Sequence, residues 1–418
     1  MANVEEGSVH TFGPELPAIF DGMKLAAVAT LLYIIVRCLN LKSPTAPPKI
    51  TYQDTPLSHY LFISCPLLTK DGHLQTVLYG KLGRVNTPIP CGVRKFLPMQ
   101  DGATATFDLF EPLGDHSTGD DITMVICPGI GNHSEKSYIR TFVDHSQRQG
   151  YRCAVLNHLG ALPNVELTSP RMFTYGCTWE FAAMVNYIKQ ACPQTLLVVV
   201  GFSLGGNIVC KYLGENCQNQ DRVLCCISVC QGYSALSAQE TFLQWDQCRR
   251  VYNFLLADKM KQLILSHRSS LLGMNSSNIG DADLSRLYTA TSLMQIDENV
   301  MRKFHGYSSV KEYYEKESCV HYIHKALTSL VDHLTSEYLS SSPEKKPNVI
   351  FALTQHGGHL GFFEGAVLFP QPLTWMDKVI VEYSDAICHW AKNRPACQDS
   401  GHLDISSCQQ NTRVPLNG

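Results

Sequence analysis

An apolar strand that runs directly into a glycine–serine turn is the feature that most constrains the fold of this chain. Residues 196–206 read Leu-Leu-Val-Val-Val-Gly-Phe-Ser-Leu-Gly-Gly, and a helix-compatible segment at 207–213 follows at once. A serine at such a strand–turn–helix corner projects out of the sheet, where its hydroxyl can attack a carbonyl. A side chain at Gly201 or Gly205 would collide with the neighbouring strand or helix. The pattern therefore predicts that Ser203 is a nucleophile.

A serine nucleophile needs a base, and two histidines near the C-terminus are suitable. The predicted strand 348–354 leads into the glycine-rich loop His356-Gly-Gly-His-Leu-Gly-Phe. A histidine there can lie beside the serine without blocking the substrate, and it follows the serine in the order that one class of serine hydrolases uses. We expect His359 to be the base rather than His356, because it lies deeper in the loop. The alternative is a surface loop with two solvated histidines.

The segment Ile122–Cys127 is predicted to be a buried strand, and it ends in Pro128-Gly-Ile-Gly-Asn-His. Because the next predicted strand, Arg152–Asn157, follows it, this loop is in the position of an oxyanion hole. The backbone N–H groups of Ile130 and Leu204 would then point at the developing oxyanion. The alternative is an ordinary Gly-Pro turn.

Three motifs together resemble one branch of the α/β-hydrolase superfamily, the membrane-anchored acylglycerol lipases and esterases. They are the turn at 201–207, the turn Asn-His-Leu-Gly at 157–160 and the loop at 356–362. The resemblance implies an α/β-hydrolase fold, with a mostly parallel central sheet, helices on both faces and a helical cap. It also implies Ser203 as nucleophile, His359 as base and a long-chain acylglycerol, in first place a monoacylglycerol, as substrate. Such a mechanism requires neither cofactor nor metal.

The chain departs from that branch at two places. Family members carry a longer stretch before Gly72-His-Leu-Gln-Thr, whereas here Thr69-Lys-Asp precedes it directly. The family's acid follows an apolar strand that ends in Asp-Asp-Pro-Leu, whereas this chain has residues 326–331, interrupted by polar side chains, and then Asp332. Asp332 is the one acid at a plausible distance before the histidine loop, so we expect it to orient the base. The alternative is a solvated loop residue.

Composition narrows the class of protein further. The chain has 418 residues, of which 44% are hydrophobic, enough for one large α/β domain with an inserted cap. The formal net charge of −3 gives no support to a nucleic-acid partner. None of the 17 cysteines forms a C-x-x-C pair, so zinc and thioredoxin-like chemistry have little support. Cysteines of this kind are typical of small buried side chains in a reducing compartment.

The N-terminus contains the one membrane signal. Residues 25–36 are apolar throughout, acids precede them, and no cleavage site is evident. We expect a signal-anchor or interfacial helix, and therefore a single-pass protein of the plasma membrane or an endomembrane; a signal peptide and a buried helix are the alternatives. Arg37, Lys42 and Lys49 favour a cytosolic catalytic domain. The sequon at Asn132 is a glycosylation candidate and would favour a lumenal one, so the side of the membrane stays open.

The order of patterns predicts five segments. The hairpin 93–97 with Thr104–Phe110 precedes the core strands, and residues 266–283 read as a polar loop inside the cap. The segments are an anchor and linker (1–45), a first core part (46–230), the cap (231–324), a second core part (325–395) and a disordered tail (396–418).

These patterns predict a membrane-anchored serine hydrolase that cleaves carboxylic esters of lipids. The predicted partners are a lipid ester and a membrane, and the sequence gives no oligomeric state. The alternative is a lipid- or steroid-binding signalling protein of the same fold with weak or lost catalysis, which the interrupted acid strand supports. An acyltransferase would differ only in whether water or an alcohol accepts the acyl group.

Overall fold

A mostly parallel nine-stranded sheet is the centre of the protein in the computed structural model, which describes residues 26–31, 33, 47–51, 72–244, 249–272, 279–323, 329–332, 350–366 and 369–393. Its strands are β1 Lys49–Thr51, β2 Val93–Pro98, β3 Thr104–Phe110, β4 Ile122–Cys127, β5 Arg152–Asn157, β6 Leu196–Phe202, β7 Cys225–Val229, β8 Ser329–Asp332 and β9 Ile350–Leu353. Their order across the sheet is β1-β9-β8-β7-β6-β4-β5-β3-β2. A separate antiparallel pair consists of β10 Gly365–Ala366 and β11 Phe369–Pro370.

The strands from β4 to β9 pair in parallel. The predicted hairpin β2–β3 is antiparallel, as are the pairs β3–β5 and β1–β9. Because parallel strands point the same way, the carboxyl ends of β4, β6, β8 and β9 lie along one edge of the sheet. That edge is where ligands bind in α/β proteins, and Ser203 and His359 meet there.

Helices cover both faces of the sheet, which confirms the α/β part of the predicted fold class but not its N-terminal anchor helix. They are α1 Gly72–Leu82, α2 Ser137–Arg148, α3 Trp179–Ala191, α4 Leu204–Glu215, α5 Cys217–Gln220, α6 Ala235–Phe242, α7 Arg249–Ser266, α8 Arg268–Leu272, α9 Asp281–Thr289, α10 Leu293–Ile296, α11 Arg302–Phe304, α12 Val310–Glu317 and α13 Trp375–Asn393. A π-helix (Asp297–Met301) and a 3₁₀-helix (Cys319–His321) are also present. Along β6, Val198 and Val200 pack in the cluster with α2 and α13, while Leu197 and Val199 pack with α3 and α4.

Between β7 and β8 the described residues form helices, α6 to α12, and no strand. The prediction of a loop at 266–283 is wrong in part, since α8 lies within it and α9 begins within it; residues 273–278 lie outside the described ranges. The physical reason is burial, because Leu271 is 1% exposed and Ile279 is 8% exposed in the apolar cluster of the cap. The domain boundaries themselves stay a prediction.

Both ends of the chain are described only in part. Residues 26–31 and Tyr33 are helical and exposed, whereas the rest of the predicted anchor and the predicted tail, 396–418, lie outside the described residues. In the part of the chain that the structure describes, no helix is both long enough and apolar enough to cross a bilayer.

Candidate active site

Ser203 is the residue between β6 and α4, and its backbone is strained as expected of a sharp turn. Its φ is 54° and its ψ is −118°, values that non-glycine residues rarely adopt. The N–H of Ser203 donates to Val229 O at 2.8 Å, which ties the turn to the neighbouring strand β7. A Cβ on Gly201 would lie 2.5 Å from the carbonyl oxygen of Gly205, so the predicted need for glycine is confirmed here. The side chain of Ser203 is half-buried.

His359 lies on the loop that follows β9, and the structure brings it to Ser203. Its Nε2 is 2.9 Å from Ser203 Oγ, within the range of a nucleophile–base hydrogen bond. The imidazole of His359 is half-buried, so a substrate can approach the pair. A serine and a histidine in this arrangement can transfer a proton as the serine oxygen attacks a carbonyl.

The loop after β4 lies directly against Ser203. A Cβ on Gly129 would be 3.4 Å from Ser203 Cβ, an ordinary van der Waals distance. Ile130 is the next residue of this loop, and Leu204 is the first residue of α4, directly after Ser203. The first N–H groups of a helix have no partner within the helix, so Leu204 N–H is suited to bind an anion. The two predicted oxyanion donors thus come from segments that both adjoin Ser203.

A buried histidine supports this loop, and sequence reasoning missed its role. His158 Nε2 is 2.9 Å from the carbonyl oxygen of Pro128. Burial lowers the pKa of the His158 imidazole, and because a carbonyl only accepts, Nε2 must hold the proton of the neutral ring. Tyr138 adds a second support, since its hydroxyl accepts from Gly129 N–H at 3.0 Å. The Asn-His-Leu-Gly motif at 157–160 was the available signal.

Asn132, the sequon residue, belongs to the same support. Its Nδ2 donates to the buried Tyr138 hydroxyl at 3.4 Å, and its side chain is half-buried. A glycan on Nδ2 would leave only one N–H for this contact and would have to fit beside the oxyanion loop.

The cap packs apolar side chains against the site. The side chains of Ile130 and Leu204 both pack against the apolar cluster of the cap, as do Leu256 and Leu263 of α7. A Cβ on Gly131 would lie 3.1 Å from Leu263 Cδ2, so α7 lies over the oxyanion loop. An acyl chain at Ser203 would therefore meet aliphatic side chains.

Asp332 is the last residue of β8, where its backbone pairs with Leu353 of β9. The prediction had put it just after a strand, whereas the structure has it at the strand's end, and residues 326–328 lie outside the described ranges. Because β9 leads into the loop of His359, the backbone of Asp332 and the start of that loop lie at the same edge of the sheet.

Among the described residues, no group of three or more His, Cys, Asp or Glu side chains is arranged to hold a metal ion. The described cysteines are free thiols, and most of them are buried.

Known proteins resemble this chain closely. The protein named monoacylglycerol lipase ABHD2 of Danio rerio is 70% identical over 431 residues, which cover 98% of this chain and 100% of that protein. The protein of the same name from Homo sapiens is 67% identical, with 94% of this chain and 97% of that protein covered. Abhydrolase domain-containing protein 2 of Drosophila melanogaster is 39% identical, with 85% and 94% covered. Residues 122–366 match the α/β-hydrolase fold family, and the chain therefore belongs to that family.

Proposed function

We propose that this protein is a serine hydrolase that cleaves carboxylic esters of lipids, with monoacylglycerols as its main substrates. The observation that carries the proposal is the distance of 2.9 Å between Ser203 Oγ and His359 Nε2. It is the geometry that a nucleophile and its general base require.

The reaction follows from the arrangement at the sheet edge. Ser203 Oγ attacks the ester carbonyl while His359 takes its proton, and the N–H groups of Ile130 and Leu204 stabilise the oxyanion. His359 then gives the proton to the departing glycerol oxygen as the C–O bond breaks. Water, deprotonated by His359, attacks the acyl-enzyme; the bond from the acyl carbon to Ser203 Oγ breaks, Ser203 takes the proton back from His359, and the fatty acid leaves. Asp332 orients the imidazole and stabilises its charged form.

The lipid substrate is supported by two observations. Ile130, Leu204 and Leu263 give the surroundings of Ser203 an aliphatic character, which favours a long acyl chain over a polar acid. The relatives from Danio rerio and Homo sapiens are both named monoacylglycerol lipases. An alcohol instead of water as acceptor would make the same site an acyltransferase.

We further propose that the N-terminal segment 25–36 binds the protein to the plasma membrane or an endomembrane as a single-pass anchor. Its described residues are helical, and Val28 and Leu31 are 53% and 57% exposed, so their apolar side chains are available to lipid. An anchor would keep the site close to an ester that resides in the bilayer.

The test uses the purified full chain and its Ser203→Ala variant. Each is assayed against mono-, di- and triacylglycerols and a phospholipid, and each is treated with a fluorophosphonate probe, which labels only an activated serine. Turnover of monoacylglycerol and labelling in the wild type, both absent in the variant, support the proposal. Lipid or steroid binding without any labelling of Ser203 would instead favour the non-catalytic alternative.

A further inference from the structure

We infer that Thr76 is a positioning residue for His359, an inference that rests on the proposed function. Thr76 lies in α1, within the Gly72-His-Leu-Gln-Thr segment whose role the sequence did not reveal. Its hydroxyl holds the backbone of the base, 283 positions away in the chain.

The contact itself is specific. Thr76 Oγ1 accepts a hydrogen bond of 2.9 Å from the backbone N–H of His359. The same hydroxyl donates to the carbonyl oxygen of Gly72 at 2.8 Å, one turn earlier in α1. Because a hydroxyl has only one proton, this donation fixes its direction and leaves its lone pairs for His359.

Gln75 holds the far end of the same loop. Its side chain is fully buried, its Oε1 accepts from Phe363 N–H at 3.0 Å, and its Nε2 lies 3.4 Å from Phe363 O. Within the same loop, Gly358 and Gly361 exchange backbone hydrogen bonds of 2.8 and 3.1 Å. The loop is therefore closed by its own backbone hydrogen bonds and is fixed to α1 at both ends.

The loop also lies against α1 without any intervening space. A Cβ on Gly358 would overlap the carbonyl oxygen of Gly72 and would lie 2.6 Å from Thr76 Oγ1. A Cβ on Gly361 would overlap the carbonyl oxygen of Gln75. The glycines beside His359 are thus required by the approach of α1, and the position of α1 determines where the imidazole lies relative to Ser203.

Proton transfer from Ser203 depends on this placement. A displacement of about 1 Å in a catalytic group can cost about a hundred-fold in rate. We expect removal of the Thr76 hydroxyl to break the hydrogen bond from His359 N–H and to loosen the imidazole, whereas substrate binding under the cap should stay the same. The expected signature is a loss in kcat without a change in KM.

The experiment compares Thr76→Val, which lacks the hydroxyl, with Thr76→Ser, which keeps it. Thr241→Val is the matched control, because Thr241 also donates to the carbonyl one turn earlier, at 2.9 Å, but is itself exposed, on α6 of the cap. We expect Thr76→Val to lower kcat about ten- to a hundred-fold at constant KM and to speed amide hydrogen exchange in the peptide 356–363. Thr76→Ser and Thr241→Val should retain wild-type values of both.

Two results would overturn the inference: a Thr76→Val variant with wild-type kcat, or a loss of rate that Thr76→Ser does not rescue. If the wild type itself shows no Ser203-dependent labelling, the proposed function fails separately. Hydrogen exchange then decides whether Thr76 holds the loop, since unchanged exchange in Thr76→Val would also refute that contact.

Discussion

Gly205 and Cys127 are in direct contact, because a Cβ on Gly205 would overlap the carbonyl oxygen of Cys127, the last residue of β4. The same Cβ would lie 2.6 Å from the carbonyl oxygen of Pro128. Both oxygens belong to the backbone, so they cannot move away by a side-chain rotation. The first turn of α4 therefore lies on the end of β4, and this contact brings Ser203 alongside the oxyanion loop.

We expect Gly205→Ala to destabilise the protein by about 3 kcal/mol, the upper end for overpacking, and to abolish labelling of Ser203. Gly80→Ala is the matched control, since a Cβ on Gly80, which is exposed on α1, meets nothing within 4 Å. It should stabilise the protein by about 0.5–1 kcal/mol. Urea unfolding and fluorophosphonate labelling measure both effects. Wild-type stability in Gly205→Ala would refute the contact.

The two histidines of the loop, His356 and His359, should differ strongly in their contribution to turnover. His359→Ala removes the group that lies 2.9 Å from Ser203 Oγ, so we expect turnover to fall by several orders of magnitude. His356→Ala should cost far less. Steady-state rates with one soluble ester suffice for the comparison, and the opposite ranking would assign the base to His356.

The sequence predicted those parts of the site that depend on local chain chemistry. The glycines around Ser203 reflect a turn formed by neighbouring residues, and the bounds of Ile122–Cys127 and Arg152–Asn157 agree with the structure because an apolar run ends at a turn in each case. The hairpin β2–β3 was also predicted, since its two strands are joined by a short turn.

The contacts that were missed are distant in the chain. Gln75 meets Phe363 across 288 positions, and nothing near Gln75 distinguishes it from a solvated helix residue. The pairing of the edge strand Lys49–Thr51 with β9 was missed for the same reason, because the two strands are far apart in the chain and no local pattern indicates it. In the cap, the polar composition of 266–283 concealed Leu271, whose burial stabilises α8.

The cap contains a buried acid whose protonation should make its stability depend on pH. Asp297 accepts hydrogen bonds from the hydroxyls of Tyr175 at 2.8 Å and Tyr314 at 2.7 Å. Burial raises the pKa of the Asp297 carboxyl from 3.8 to about 7, although the two tyrosines oppose the shift. The folded protein thus binds more protons than the unfolded chain between about pH 4 and pH 7.

In that window stability falls as pH rises, and above about pH 7 the effect of Asp297 is constant. Asp297→Asn should remove this loss, so the variant should gain stability relative to the wild type at pH 8 but not at pH 4. Thermal unfolding at several pH values measures the difference. Asp258→Asn, which changes a half-exposed carboxylate of α7, is the control and should follow the wild type. If the stability of Asp297→Asn depended on pH in the same way as that of the wild type, the prediction would be wrong.

Removal of residues 1–45 tests the proposed anchor. The strand β1 begins at Lys49, so the truncation leaves the sheet complete. We expect the shortened protein to leave membranes, to hydrolyse short soluble esters at nearly the wild-type rate and to turn over long-chain substrate in vesicles more slowly. Flotation with vesicles and both assays measure this. A truncated protein that stays membrane-bound would direct attention to Val251, Phe254 and Leu255 of α7, which are 48–55% exposed.

A catalytic triad also needs an acid, and Asp332 is the candidate. Asp332 ends β8, and β8 pairs in parallel with β9, from which the loop of His359 continues. A histidine base without its carboxylate loses control of its tautomer and stabilisation of its positive charge, a loss of about four decades in a serine-protease triad. If Asp332 supplies that carboxylate, its removal should act on the chemistry rather than on the fold.

We therefore expect Asp332→Asn to lower turnover by orders of magnitude, with the rate of fluorophosphonate labelling falling in parallel. Asp297→Asn and Glu298→Gln are the controls. Both oxygens of Asp297 are engaged by tyrosine hydroxyls, and Glu298 is paired with Arg302 at 2.6 Å, so neither is available to orient His359. Both controls should keep the wild-type labelling rate at pH 7. If Asp332→Asn retains full turnover, another group orients the imidazole, and the interrupted strand before Asp332 then marks a departure from the family's triad.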